Sequence, residues 1–192
     1  MREFWKHCVR GAAALAFLLA SGSAMAWPCD FMTGGGFIFH EGAKANFGVA
    51  GGCKFGTPTW GHLEYIDHGN GLNVHWTSIT GYFEWGTSTG SNGQPIGTRL
   101  ICGTANTNLY GPVYFAVRAS DNGEPGTMDQ FDIRLRQAPA APPVYDTTKE
   151  CEYHYLGSKA PCAPGSGGGG NIQLHKPNPS TTGSFGGSCP AL

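Results

Sequence analysis

The strongest constraint on the fold is a strand-turn-strand segment that runs from Leu109 to Arg136. Apolar residues alternate with polar ones in both arms, which places an apolar stripe on one face of each strand. The stripes are Val113, Phe115, Val117 and Ala119 in the first arm, and Phe131, Ile133 and Leu135 in the second. The connection DNGEPGTMD contains Asn-Gly and Pro-Gly pairs, which favour turns. Pairing Ser120 with Gln130 brings both stripes to one face, so the segment predicts the central hairpin of an all-β core.

A second hairpin is predicted around the turn HGNG, between WGHLEYID and LNVHWTSITGYFEW. The register that puts Tyr65 opposite Val74 on the apolar face also puts Glu64 opposite His75 on the polar face. Because one register places the apolar residues of both arms on one face and the polar residues on the other, it is better evidence for a hairpin than the pattern of either arm alone.

Other strands are expected at Phe37–His40, at Thr98–Thr104 and at the late segment NIQLHK, while Gly86–Gly97 reads as a loop. No sustained helical periodicity follows Trp27. We therefore predict an all-β chain: a single antiparallel β-sandwich or jelly-roll-like domain of about eight to nine short strands, stapled by disulfides. The predicted domain covers residues 27–176, and a Gly/Pro/Ser-rich tail covers 177–192.

The N-terminus has the pattern of a secretory signal peptide. Basic residues precede the apolar run Gly11–Ala20, and Ala24-Met25-Ala26 matches a cleavage site. Residues 1–26 are therefore expected to be removed, which predicts a secreted, extracellular or periplasmic protein. The later chain has no apolar run near the ~20 residues that a membrane-spanning helix needs.

Cysteine counting agrees with export. Cys8 lies in the predicted signal peptide, and six of the seven cysteines remain. An even number in an exported chain predicts disulfides, and the absence of CxxC argues against metal-bound thiols. The pairings expected are Cys151–Cys162, Cys53–Cys102 and Cys29–Cys189.

Charge limits the classes of partner. The predicted cleavage leaves nine basic residues of 12 and twelve acidic residues of 13, a net charge of −3. That balance argues against nucleic acid or an anionic membrane as the main partner.

Four segments resemble a known family. GGGFI, KANFG, DNGEPGTMDQFDIRL and GGGGNIQLHK, in this order between Gly34 and Lys176, are similar to the post-COAP domain of exported bacterial surface proteins. The resemblance implies export and an all-β extracellular module, and it brings no established activity or catalytic residues. Two features differ: six cysteines are more than the family pattern has, and the domain is expected to form the whole mature chain.

An acidic loop is the candidate metal site. Its oxygen-bearing residues fall within twelve positions: Asp121, Asn122, Glu124, Asp129 and Asp132. Ca²⁺ prefers such ligands, although the spacing is not that of an EF-hand. The alternative is an Asx-type turn flanked by solvated acids.

Two patterns could suggest catalysis. Gly86–Gly90 matches the G-x-S-x-G motif around Ser88, but no strand-to-helix turn is predicted there. Glu64 and His75 could form an acid/base pair, but ordinary cross-strand pairs look the same. The histidines show no HExxH spacing, so zinc is not predicted.

Clustered aromatic residues are the candidate ligand-binding surface. Tyr82, Phe83 and Trp85 cannot all point inward, because neighbours in a strand alternate sides. Tyr82 and Trp85 are the predicted ligand-binding residues, since exposed aromatic rings can stack on sugars.

The predicted function is that of a secreted, non-catalytic β-rich module with a structural, surface or binding role. The expected partner is a polysaccharide or another surface protein, and calcium is the only candidate cofactor. Two alternatives stay open: a lectin-like carbohydrate-binding protein, and a secreted hydrolase on a β-scaffold.

Overall fold

The computed structural model describes residues 28–165 and 168–192, so the predicted signal peptide and Trp27 lie outside the described residues. Within those ranges the chain forms ten strands and two short 3₁₀ turns, Lys54–Gly56 and Thr147–Lys149. The strands are β1 (Phe31–His40), β2 (Ala43–Gly52), β3 (Trp60–Asp67), β4 (Leu72–Thr89), β5 (Pro95–Thr107), β6 (Gly111–Asp121), β7 (Gln130–Arg136), β8 (Tyr145–Asp146), β9 (Gly170–His175) and β10 (Gly186–Gly187). No helix in this part of the chain is long and apolar enough to cross a membrane.

The strands form one curled antiparallel sheet in the order β8-β7-β6-β5-β4-β3-β2-β1-β9, with β10 paired to β4. The curl brings distant strands face to face. Phe47 of β2 stacks on Phe131 of β7 with ring centroids 3.9 Å apart, although four strands separate them in the sheet. The apolar core therefore lies inside the curl. The predicted all-β antiparallel fold is confirmed.

Both predicted hairpin registers are confirmed. In β6 and β7, Val117 pairs with Ile133 and the other predicted pairs follow. In β3 and β4, Tyr65 pairs with Val74 and Glu64 with His75. The apolar stripes of both hairpins are buried.

The first strand is longer than predicted, because the glycine run at 34–36 belongs to β1. Gly36 pairs with β2 on one side and with β9 on the other. A Cβ atom on Gly36 would lie 2.1 Å from the carbonyl oxygen of Gly169. The close approach of β9 therefore requires glycine here. A glycine-rich strand shows no alternation of apolar and polar residues, so the sequence pattern did not reveal this part of β1.

The predicted loop Gly86–Gly97 is mostly strand. β4 continues to Thr89 and β5 begins at Pro95, so the turn covers only residues 90–94. Threonine favours strands, and β4 pairs with β5 along this segment as far as Thr89 and Pro95. The turn-forming composition of this segment therefore predicted a longer loop than the structure has.

Side chains of two aspartates cover the free edge of β9, whose other edge pairs with β1. The backbone N–H of Ile172 donates to Asp129 at 2.7 Å, and that of Leu174 donates to Asp121 at 2.8 Å. Both aspartates flank the connection between β6 and β7. The connection thus satisfies donors that a bare edge would leave unpaired.

Residues 154–157 link β7 to β1 beside this connection. The N–H of Leu156 donates to the carbonyl oxygen of Asp129 at 3.0 Å, and the N–H of Gly157 donates to that of Phe37 at 2.9 Å. This segment therefore ties together two strands from opposite ends of the sheet order.

Three disulfides are present: Cys29–Cys53, Cys102–Cys189 and Cys151–Cys162. The predicted Cys151–Cys162 bond is confirmed. The predicted pairings of Cys53 with Cys102 and of Cys29 with Cys189 are wrong.

The corrected pairing follows from the topology. Phe31 pairs with Gly52 at the open end of the β1–β2 hairpin, so Cys29 and Cys53 meet just beyond it. The sequence did not reveal this register, because the glycines of β1 and β2 carry no alternating pattern.

The tail at 177–192 packs against the sheet. β10 pairs with β4, the Cys102–Cys189 bond fixes the tail to β5, and Ala191 is fully buried. A second, smaller apolar cluster forms on this outer face, built from Leu100, Cys102, Ala116 and Ala191.

Asp30 and Arg99 form a buried ion pair beside the main core, with side chains 6% and 0% exposed. The guanidinium group is bidentate: Nε donates to Oδ1 at 3.1 Å and Nη2 donates to Oδ2. The hydroxyl of Tyr82 also donates to Oδ1, at 2.7 Å. Nη1 of Arg99 donates to the carbonyl oxygens of Gly86 and Thr98. The buried charge is thus paired and hydrogen-bonded.

Replacing Asp30 by asparagine should destabilise the protein strongly. The Asp30→Asn variant leaves the Arg99 guanidinium buried without its counter-charge, and such a loss typically costs about 3–5 kcal/mol. Urea unfolding followed by circular dichroism measures the change. The exposed Glu152→Gln variant is the matched control, and we expect it to change the free energy of unfolding by less than about 0.5 kcal/mol. Equal stability of the two variants would contradict this role for Asp30.

Candidate functional site

The acidic loop binds the protein's own backbone. Besides their bonds to β9, Asp121 accepts the N–H of Gly123 at 2.9 Å and Asp129 accepts the N–H of Asn122 at 2.9 Å. Each of the four carboxylate oxygens of these two aspartates therefore already accepts an N–H donor.

The other predicted calcium ligands lie in different surroundings. Glu124 accepts a hydrogen bond from Asn171 at 3.2 Å, and Asp132 is bonded to Arg118 and His154. Within the described residues, no three of the four acidic side chains bring ligand atoms within 4.8 Å of one another. The calcium site stays a prediction, and in this structure the aspartate oxygens of the loop accept N–H donors of the protein.

Burial raises the pKa of Asp129 from its usual 3.8 to about 6. The hydrogen bonds from the N–H groups of Ile172 and Asn122 oppose this rise, and the negative charges of Asp121 and Glu124 add to it. The desolvation of the carboxylate outweighs the donors.

The raised pKa of Asp129 should appear in the pH dependence of stability. The folded protein holds this proton more tightly than the unfolded chain does, so the free energy of unfolding should fall as the pH rises from about 4 to about 6. The Asp129→Asn variant lacks this titration. We expect the stability of wild type minus that of the variant to decrease across this window and to level off above it. Denaturant unfolding at several pH values measures the difference, and a pH-independent difference would contradict the assignment.

Trp85 lies on the surface because a β-bulge interrupts the pairing of β4 with β5. The register shifts between Glu84 and Gly86, which leaves Trp85 unpaired and 59% exposed. Tyr82, by contrast, is fully buried, and its hydroxyl is bonded to Asp30. Of the two predicted ligand-binding residues, only Trp85 is therefore accessible.

Trp85 stands at a shallow depression of about 100 Å³, which we call the outer-face pocket. Its lining includes Trp85, Leu100, Arg118, Arg134, Thr148 and Leu192. An exposed indole, two guanidinium groups and an aliphatic floor thus meet on the outer face.

The guanidinium groups are held by buried carboxylates. Arg118 donates to Asp132 at 2.7 Å, and Arg134 donates to Asp146 at 2.9 Å. Arg118 also lies over the half-exposed ring of Tyr153, 4.1 Å from its centroid. Its buried Nε has no hydrogen-bond partner within the described chain. The two arginines of the pocket are therefore held in place beside the indole of Trp85.

The two patterns that could have suggested catalysis lack the necessary surroundings. Glu64 and His75 are 2.5 Å apart, but their side chains are 46% and 67% exposed on an open strand surface. Ser88 lies inside β4 opposite Ile96, and a strand rather than a helix follows the turn. Glu64, His75 and Ser88 therefore have the surroundings of ordinary strand residues.

A second depression, a cleft of about 410 Å³, opens beside the end of β1. Its lining includes His40, Asn70, Tyr110, Tyr145, Lys149 and Glu150. His40 Nδ1 lies 2.8 Å from Glu150 Oε2, and the buried His154 places Nε2 3.4 Å from the same oxygen. We call these three side chains the His40–Glu150–His154 cluster.

Neighbouring charges shift two pKa values in this cluster. Burial alone would lower the pKa of His154, but its bonds to Asp132 and Glu150 raise it above its usual value. Burial alone would raise the pKa of Glu150, but the N–H of Glu41 and the two histidines lower it. Both shifts favour a charged, hydrogen-bonded cluster.

Little in the sequence indicates this cluster. Glu150 and His154 are four residues apart, a common spacing, whereas His40 is 110 residues away from Glu150. The lack of short histidine spacings excludes only sites built from a single segment. The three residues meet because the closure of the sheet brings the end of β1 to the segment after β8.

The fold and the two depressions define an all-β, disulfide-bonded domain with an aromatic surface pocket and a histidine-lined cleft. No family model, no curated protein and no solved structure matches the chain. The resemblance to the post-COAP domain stays a prediction, and the chemistry of each depression has to be inferred from its geometry.

Proposed function

We propose that the chain is an exported, non-catalytic β-domain that binds carbohydrate through the outer-face pocket. One observation carries the proposal: the exposed indole of Trp85 stands beside the guanidinium groups of Arg118 and Arg134.

The chemistry of this pocket suits a sugar ring. A pyranose has a face of C–H groups that packs on an aromatic ring, and hydroxyls at its rim that need hydrogen-bond partners. Trp85 supplies the ring, while Arg118, Arg134 and Thr148 supply polar groups within the same depression. Because Asp132 and Asp146 hold the guanidinium groups in place, little ordering is needed on binding.

Export is supported by two independent features. The N-terminal segment has the order of a signal peptide, and three disulfides form in the folded domain. Disulfides persist in oxidising compartments and are rare in the cytosol. The resemblance to exported surface modules points the same way.

Replacing Trp85 should abolish most carbohydrate binding. We would incubate the oxidised protein with insoluble cellulose, chitin, xylan and peptidoglycan and measure the protein that sediments with each. For the polysaccharide that binds wild type, we expect Trp85→Ala to weaken binding at least tenfold, or about 1.4 kcal/mol, because the stacking surface is lost.

The matched control is Phe55→Ala, which removes another exposed aromatic ring, 78% accessible, on the turn after β2. This variant should bind like wild type. Failure of wild type to bind any of the four polymers, or equal binding by Trp85→Ala, would contradict the proposal. The supernatants are also assayed for released reducing ends, and their release by wild type would make the chain a hydrolase instead.

A further inference from the structure

We propose that the His40–Glu150–His154 cluster is a binding site for a divalent transition-metal ion, with Zn²⁺ as the ion it fits best. The proposal is independent of carbohydrate binding, because His40 and Glu150 line the cleft beside β1 and none of the three residues lines the outer-face pocket.

The first support is convergence. One possible ligand atom from each of the three residues lies within 4.8 Å of the others, and no other such group occurs in the part of the chain that the structure describes. The two imidazole rings are 5.7 Å apart, with the carboxylate between them. His40 and His154 are buried, so their rings are held by packing.

The second support is the orientation of His154. Its Nδ1 lies 2.8 Å from Asp132 Oδ1, which leaves Nε2 as the ring atom that faces Glu150. Asp132 is held in turn by Arg118 and Thr147. A carboxylate that orients a histidine through its second nitrogen is the usual arrangement around metal-binding histidines.

The two distances to the Glu150 oxygen are close to those around a tetrahedral ion, and the two histidine ligand atoms lie within 4.8 Å of each other. Ligands at about 2.0–2.2 Å from a tetrahedral Zn²⁺ ion lie roughly 3.3–3.6 Å from each other. The 3.4 Å between His154 Nε2 and Glu150 Oε2 already falls in this range. The 2.8 Å between His40 Nδ1 and the same oxygen would have to lengthen by roughly 0.5 Å to reach it.

The donor set selects the class of ion. Two imidazoles and one carboxylate suit Zn²⁺ and similar ions, whereas Ca²⁺ takes about six to eight oxygen ligands. The N–H of Glu41 donates to Glu150 Oε2 at 2.7 Å and fixes the carboxylate. The adjoining cleft leaves room for a fourth ligand such as water.

Titration calorimetry tests the site directly. Zn²⁺ is added to the chelator-treated protein with its disulfides intact, and wild type should bind one ion. We expect His40→Gln and Glu150→Gln to weaken binding about 100-fold or more, since each removes a ligand. Ca²⁺ in large excess should not displace Zn²⁺.

The control is His75→Gln, which removes the exposed histidine of the Glu64–His75 pair and should bind Zn²⁺ like wild type. Circular dichroism and melting without metal show whether each variant is folded. If a ligand variant does not fold, Co²⁺ bound to wild type still tests the site, because a tetrahedral nitrogen–oxygen site gives intense visible absorption. Absence of binding by wild type, an octahedral Co²⁺ spectrum, or unchanged affinity in a folded ligand variant would overturn the proposal.

Discussion

Two buried aspartates, Asp121 and Asp129, bind the edge of β9 to the connection between β6 and β7. The backbone N–H groups of Ile172 and Leu174 need acceptors there, and a buried donor left without one costs about 1–3 kcal/mol. Asp129 and Asp121 supply them from the connection between β6 and β7. The loop that the sequence marks as a candidate cation site thus also clamps β9, because its carboxylate oxygens accept N–H groups of the protein itself.

The closure of the sheet also creates the histidine cluster. Leu156 and Gly157 are bonded to β7 and β1, so the preceding turn is held between those strands. His154 lies in that turn, and His40 ends β1 beside it. The Cys151–Cys162 bond restrains the same turn. The cluster is thus placed by backbone hydrogen bonds and a covalent link, which favours a fixed geometry over a loose one.

The sequence predicted what depends on neighbours along the chain. Alternation revealed both hairpin registers, because a buried face fixes the pairing of two adjacent strands. It did not reveal the partner of Cys29, the burial of Tyr82 or the approach of His40 to Glu150. The partner of Cys29 depends on the β1–β2 register, where glycines remove the alternation. The burial of Tyr82 and the approach of His40 to Glu150 depend on contacts between segments far apart in sequence. The exposure of Trp85 agrees with the expectation that neighbouring aromatic residues cannot share one face of a strand, although the bulge that places it there was not predicted.

Asp132 connects the two depressions. One of its oxygens accepts from Arg118, which lines the outer-face pocket, and the other accepts from His154 in the cluster. Asp132 is only 1% exposed, so these bonds replace the water that its carboxylate loses on burial. Its two oxygens therefore hold a guanidinium group on one side and an imidazole on the other. One buried carboxylate thus positions side chains of both depressions.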